Sequence, residues 1–170
     1  MTDPEILEVR PLTASDLLDL WRQQSQAGHV LVTAGLIEDE IEKLLLMAGR
    51  SLENRQAKAI FGIGGPLNGL SAKIQIAFLF ELIDQPNRND LDIIRRIRNA
   101  FAHTTHFVYF HSEAVDLLCE KFSKWTDNAD NETLFRDTAI ACVNAIRQKA
   151  NVLLYAKALR EAPQLTDDED

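Results

Sequence analysis

Apolar side chains recur every three or four residues along most of this chain, which is the spacing of one face of an α-helix. One stripe of this kind ends before Gly49, a residue type that commonly stops helices. It consists of Val30, Ala34, Ile37, Ile41, Leu44 and Ala48. The second consists of Phe135, Ala139, Cys142, Ile146, Leu153 and Ala156, within a last helix predicted over residues 132–160. The alternating pattern of a strand is confined to residues 107–110, so the sequence predicts an all-α fold.

Further helices follow from the same spacing and from capping residues. A first helix is predicted to begin near Thr13, which has capping-box spacing to Asp16, and to end near Gly28. Three more are predicted over residues 52–60, 71–83 and 88–102. The helix over 71–83 is apolar nearly all around, so we expect other elements to cover it on most sides.

Length and composition are those of one globular domain. The chain has 170 residues, of which 46% are hydrophobic and 26% charged. We therefore predict a single compact helical domain over residues 1–165, with about six to seven helices. Residues 166–170 carry four acidic side chains and no basic one, and we expect this acidic tail to be disordered.

The charge excludes several classes of function. A net charge of -8 repels a phosphate backbone, so direct DNA binding is not expected. The acidic N-terminus is unlike a signal peptide, and the acidic block from Glu38 to Glu42 interrupts the apolar run that a membrane helix would need. These features predict a cytoplasmic protein. Cys119 and Cys142 are isolated, and the sequence indicates no metal site and no cofactor.

The segment FGIGGPLNGL, residues 61–70, is a Gly-rich loop. Gly64, Gly69 and Ser71 occupy three places of the phosphate-binding pattern G-x-x-x-x-G-K-[ST], but Leu70 stands where that pattern requires lysine. No strand precedes the loop either. The simpler interpretation is a tight turn between two helices, although Lys73 near the start of the next helix is placed to hold an anion weakly.

The helix over residues 88–102 has one polar arc and one odd arginine. At 100° per residue the arc contains Arg88, Asp92, Arg95, Arg96 and Asn99. Arg98 falls instead on the apolar side, where an unpaired guanidinium would be costly. We expect an ion pair between Arg98 and a carboxylate of the acidic block, in preference to a catalytic or ligand-binding role.

Three histidines follow this helix, and histidine is the usual acid or base near neutral pH. His103, His106 and His111 lack the i, i+4 spacing and the nearby fourth ligand of a zinc site. A histidine at a helix C-terminus is favoured by the helix dipole, and this effect by itself explains the position of His103.

The stretches GGPLNGLSAKIQIAFLFELI and DLDIIRRIRNAFAH, together with the preceding LIEDEIEKLL, resemble the bacterial mannitol-repressor family (MtlR/MltR) of transcriptional regulators. The resemblance covers about residues 28–120. It implies an all-helical regulator without an evident helix-turn-helix motif, acting as a repressor through protein partners. The residues at the centre of the resemblance and of the polar arc are Gly65, Pro66, Ser71, Lys73, Arg95, Arg98, Asn99 and His103. No sugar site follows from the family's name.

Arg98, Asn99 and His103 also fit an alternative, because R-x4-H with a polar residue after the arginine is similar to the signature of the HEPN RNases and their inactive RNA-binding relatives. That resemblance implies metal-independent RNA cleavage, often across a homodimer. Residues five apart on a helix point about 140° away from each other, so the pair converges only if the helix ends early or a second subunit contributes.

Overall fold

The computed structural model describes residues 25–103 and 108–161, and this part of the chain contains helices and no strand. The all-α prediction is therefore confirmed. The six helices are α1 (Gln26–Ala48), α2 (Asn54–Phe61), α3 (Leu70–Leu79), α4 (Gln85–Ala102), α5 (Glu113–Cys119) and α6 (Asn131–Glu161). None of these helices combines the length and apolar content needed to cross a membrane.

The start of α1 differs from the prediction. Ser25 caps the helix, and its hydroxyl accepts a hydrogen bond from the backbone N–H of Gly28 at 3.3 Å. Gly28 thus lies in the first turn of α1, and the predicted helix end at this position is wrong. Most of the predicted first helix, from Thr13 onward, lies outside the described residues, as does the acidic tail.

Helix α1 lies at the centre of the bundle, where it packs against α3, α4 and α6. The stripe predicted for it is confirmed from Val30 to Leu44, since Val30, Ile37, Ile41 and Leu44 are completely buried, but Ala48 in the last turn is exposed. Gly49 follows its last residue, as predicted. These side chains belong to one hydrophobic core to which α3, α4, α5 and α6 also contribute.

Helix α6 runs in the same direction as α1 and extends beyond it. Two contacts fix this direction: His29 lies beside Glu132 with a distance of 3.2 Å between Nδ1 and Oε1, and Glu40 lies beside Arg147. From the first contact to the second, the residue number rises in α1 and also in α6, so the two helices are parallel. Counting from the second contact, α6 continues about six residues past the end of α1, roughly 9 Å at 1.5 Å per residue. Its last turns therefore leave the core.

Helix α3 is less covered than its composition predicts. It contacts α1 and α4, against which it buries Leu70, Ile74 and Ala77. Leu79 is 70% exposed, and Phe80, which ends the helix, is 65% exposed. The expectation of cover on most sides thus holds for most of α3 and is wrong at its C-terminal end, where these two large apolar side chains are open to water.

Lys73 of α3 is buried among the acidic side chains of α1. Its ammonium lies 3.0 Å from Glu38 Oε1 and 2.7 Å from Glu42 Oε2, and the residue is 3% exposed. Burial by itself lowers the pKa of this ammonium, but hydrogen bonds and charge attraction from Glu42 and Glu38 outweigh it, so the pKa lies above its usual value. Lys73 is therefore cationic and joins α3 to α1.

Glu40, which lies between Glu38 and Glu42 in the sequence, joins α1 to α6. Both carboxylate oxygens accept from the guanidinium of Arg147, at 3.1 and 3.2 Å, and Oε1 also accepts from Lys43. Burial raises the pKa of Glu40, and the hydrogen bonds from Arg147 and Lys43 more than reverse this, leaving the pKa below its usual value. The acidic block thus orients two of the three helices that pack against α1, namely α3 and α6.

Helices α4 and α5 complete the core. Asp84 caps α4 by accepting from the N–H of Asn87 at 2.9 Å, so the helix begins slightly before the predicted start. Helix α5 was not predicted individually, because its seven residues are too few to show a clear period. Buried Asp90 of α4 accepts two hydrogen bonds from Ser123, at 2.6 and 2.9 Å, and holds the segment after α5 in place.

Replacing Lys73 with methionine should lower the free energy of unfolding by about 2 to 3 kcal/mol, because Glu38 and Glu42 would keep their charges without the shared partner. Urea denaturation followed by circular dichroism measures this value. The matched control is Lys43→Met. The side chain of Lys43 is 55% exposed, so this substitution should lower the free energy of unfolding by less than about 1 kcal/mol. Equal losses in the two variants would contradict the role assigned to Lys73.

Candidate functional site

The C-terminal end of α4 carries the residues of both sequence-based interpretations. Arg98 is half-buried, and its Nη1 donates to Oδ1 of Asn99 at 3.1 Å. His103 is exposed and caps the helix, with its backbone N–H donating to the carbonyl oxygen of Asn99 at 3.1 Å. The helical turn therefore continues up to His103.

This continuity separates Arg98 from His103. The two side chains leave one unbroken helix about 140° apart, and the described hydrogen bond of Arg98 goes to Asn99. Asn99 and His103, four residues apart, share a face with Arg95 instead. Arg95 is engaged by Asp92, whose Oδ1 accepts from Nε and Nη2 at 3.0 and 2.7 Å. Among the described residues, α4 therefore does not direct Arg98 and His103 towards one another.

The expected partner of Arg98 is also corrected. Its predicted ion pair with the acidic block is absent from the described contacts, because the carboxylates of that block face Lys43, Lys73 and Arg147. Half exposure allows the Arg98 guanidinium to remain hydrated, which removes the need for a buried counter-ion. Lys73 takes the structural role expected of Arg98. The ammonium of Lys73 is occupied by the carboxylates of Glu38 and Glu42, so the suggestion that it holds a bound anion is wrong.

The Gly-rich loop is a close-packed turn between α2 and α3. The backbone N–H of Gly65 donates to the carbonyl of Gly62, and that of Leu67 to the carbonyl of Ile60, both at 2.9 Å. A Cβ on Gly65 would lie 2.4 Å from the carbonyl oxygen of Ile60, and Gly64 has a positive φ of 81°. These N–H groups serve the turn and are not free to hold a phosphate.

The remaining candidates from the sequence lie apart from one another. Pro66 is exposed on the turn, and Ser71 lies half-buried in the first turn of α3. His111 stacks on Tyr109 with 5.1 Å between ring centroids, and His106 is outside the described residues. Among the residues that the structure describes, no group of three or more His, Cys, Asp or Glu side chains is placed to hold a metal ion.

Neither cysteine is placed to act as a nucleophile. Cys119 and Cys142 are both buried, and burial raises the pKa of each thiol to about 12. The reactive thiolate is therefore scarce near neutral pH.

An exposed apolar groove was missed by sequence reasoning. It has a volume of about 510 Å³ and lies between the C-terminal end of α1, helix α2, the Gly-rich turn and α6. We define the apolar groove by its lining residues, which are Leu45, Leu46, Ala48, Gly49, Arg50, Leu52, Ile60, Phe61, Leu67, Ile76, Phe80, Leu82 and Leu153. Arg50 is the only charged side chain among them.

Helix α6 forms one wall of this groove and separates it from a second cavity. Leu153 faces the groove, whereas Val152 lines a neighbouring cavity of about 1080 Å³ together with Leu79 and Arg88. Beyond these residues the projecting part of α6 exposes three more large apolar side chains, Leu154, Tyr155 and Leu159. A sequence signal exists for this surface: the apolar residues of α6 after position 150 are spread around the helix and not confined to one stripe.

Gly65→Ala should lower the free energy of unfolding by about 2 kcal/mol or more, because the new methyl group would meet backbone oxygen atoms that cannot move away independently. Thermal and urea denaturation measure the change. Gly35→Ala is the matched control. A Cβ added at this exposed position of α1 would meet no atom within 4 Å, and alanine is more favourable than glycine in a helix by about 1 kcal/mol, so this variant should not be destabilised. A stable Gly65→Ala variant would rule out the close-packed turn.

Purified protein should not cleave single-stranded RNA in the presence of EDTA, because one chain holds Arg98 and His103 apart. Gel electrophoresis of an end-labelled RNA tests this. Metal-independent cleavage that disappears in both Arg98→Ala and His103→Ala, with circular dichroism unchanged, would instead support the HEPN-like alternative and a site shared between two subunits.

Residues 61–103, which carry most of the resemblance to the mannitol-repressor family, form the turn, α3 and α4. The chain matches no family model, no curated protein and no solved structure. The resemblance therefore stays a prediction, and the function is argued below from the exposed surfaces.

Proposed function

We propose that this protein is a mannitol-repressor-like transcriptional regulator that acts in the cytoplasm by binding a protein partner, without sequence-specific contacts of its own to DNA. The observation that carries this proposal is the apolar groove. Large apolar surfaces that remain open to water on one side commonly mark sites of protein association.

The groove has the physical features of an association site. Phe80 and the half-buried Phe61 and Leu153 all line it, so a partner would remove aromatic and aliphatic surface from water at one place. Burial of such surface stabilises a complex by about 25 cal/mol for each square ångström. Large aromatic side chains in a concave site are the residues that dominate binding energy in protein interfaces.

The charges support binding to protein over direct binding to DNA. The net charge of -8 opposes a polyanion at long range. On the polar arc of α4, the charge of Arg95 is compensated by Asp92, with 2.7 Å between Nη2 and Oδ1. The positive charge of this arc is therefore reduced, although Arg96 stays exposed.

Deleting the gene should change the level of specific transcripts, and the wild-type protein should restore them. Phe80→Ser should fail to restore them, because it removes an exposed aromatic group from the groove without disturbing the core. RNA sequencing of the deletion strain and of the complemented strains provides the measurement.

Leu117→Ser is the control for this experiment, since Leu117 is 50% exposed on α5 and lines none of the cavities described above. It should restore the transcripts fully. The purified protein should also leave the DNA upstream of the affected genes unshifted in a gel at physiological salt. Nanomolar binding to that DNA, or a deletion strain with unchanged transcripts, would rule the proposal out.

A further inference from the structure

We infer that the partner enters the apolar groove as an acidic amphipathic helix. This inference rests on the proposed function and adds the chemistry of the partner. It is supported by two features, the shape of the groove and the charges around it.

The groove is open along one side and its walls are helices. The end of α1, helix α2 and the Gly-rich turn line it together with Phe80, and α6 contributes Leu153. A helix can place apolar side chains at positions i, i+3, i+4 and i+7 into a groove of this kind while its polar face stays in water. The concave shape favours such an insert over the flat surface of a bilayer.

Basic residues lie on the helices that line the groove, although the protein as a whole is acidic. Arg50 lines the groove itself, whereas Lys149 of α6 lines the neighbouring cavity. Other cations lie close in sequence to the lining residues Phe61 and Leu153, namely Arg55 and Lys58 of α2 and Lys157 and Arg160 of α6. Arg50 and these four cations form no ion pair within the part of the chain that the structure describes.

Fewer acidic than basic residues lie on these two helices near the groove. They are Glu53, which caps the N-terminus of α2, and Glu161, which follows Arg160 in α6, whereas Glu81 and Asp84 line the neighbouring cavity together with Lys149. An acidic helix would therefore gain favourable long-range attraction and ion pairs at the rim. A second copy of this chain pairing through the same surface would instead bring two basic rims together, since the same patch forms both sides of a twofold interface.

The test uses two synthetic peptides of about 18 residues, five helical turns, labelled with fluorescein. Both have leucine at positions i, i+3, i+4 and i+7, and the polar face is glutamate in one and lysine in the other. Fluorescence anisotropy with the full chain measures binding at low and high salt. We expect the acidic peptide to bind at least about tenfold more tightly than the basic one, with affinity falling as salt rises.

Variants locate the binding. Phe80→Ser should raise the dissociation constant of the acidic peptide about tenfold, and the double variant Arg50→Glu, Lys157→Glu should remove the preference for the acidic peptide. The matched controls are Leu117→Ser and Lys121→Glu, an exposed apolar and an exposed basic residue away from the groove, and both should bind like the wild type.

Three results would overturn the inference: equal affinity for the two peptides, binding that Phe80→Ser does not weaken, or tighter association with phosphatidylglycerol vesicles than with the acidic peptide. Dimerisation that Phe80→Ser abolishes, measured by sedimentation, would identify a second copy as the occupant and also overturn it. If the acidic peptide does not bind while transcript restoration still depends on Phe80, the inference of an acidic helical partner is wrong and the proposed function stands. If the deletion strain has unchanged transcripts, the proposed function is wrong even when the peptide binds.

Discussion

The ammonium of Lys73, buried between Glu38 and Glu42, is the interaction on which the arrangement of α1 and α3 depends. Two carboxylates one helical turn apart accept one cation, so both the rotation of α3 and its position along α1 are determined. With Lys73 at the level of Glu38 and Glu42, the end of α3 reaches the last turn of α1. Phe80 is thereby placed at the edge of the core, where it forms part of the apolar groove.

The same acidic block also positions α6, and this arrangement has a functional consequence. Glu40 binds Arg147 in the middle of α6, which places the following turns beside the end of α1 and beyond it. The groove therefore exists because two ion pairs align helices of unequal length. The charged contacts inside the bundle and the exposed apolar surface at its end are thus linked, because the ion pairs align the helices whose ends form the groove.

Some of the candidate residues from the sequence have a clear structural role, and the others have no function assigned by the structure. Gly65 and Lys73 serve packing, because one permits close contact of backbones and the other joins two helices. Arg95 and Arg98 form their described contacts within α4, and His103 remains exposed at its end. Within the described residues, α4 directs the side chains of Arg98 and His103 to different sides of the helix. The HEPN-like interpretation of this helix end therefore stays a prediction, whereas the lining of the groove lies within the described residues of one chain.

The sequence by itself determined the helices, their buried stripes and the turn at the glycines, because periodicity and glycine chemistry act between residues close in the chain. It correctly located the stripe of α1 and the long α6. It did not determine which cation pairs with the acidic block, or that Leu79 and Phe80 are exposed. Those outcomes depend on the register between helices distant in sequence, and only the tertiary structure decides where a buried charge meets its partner and where the core ends.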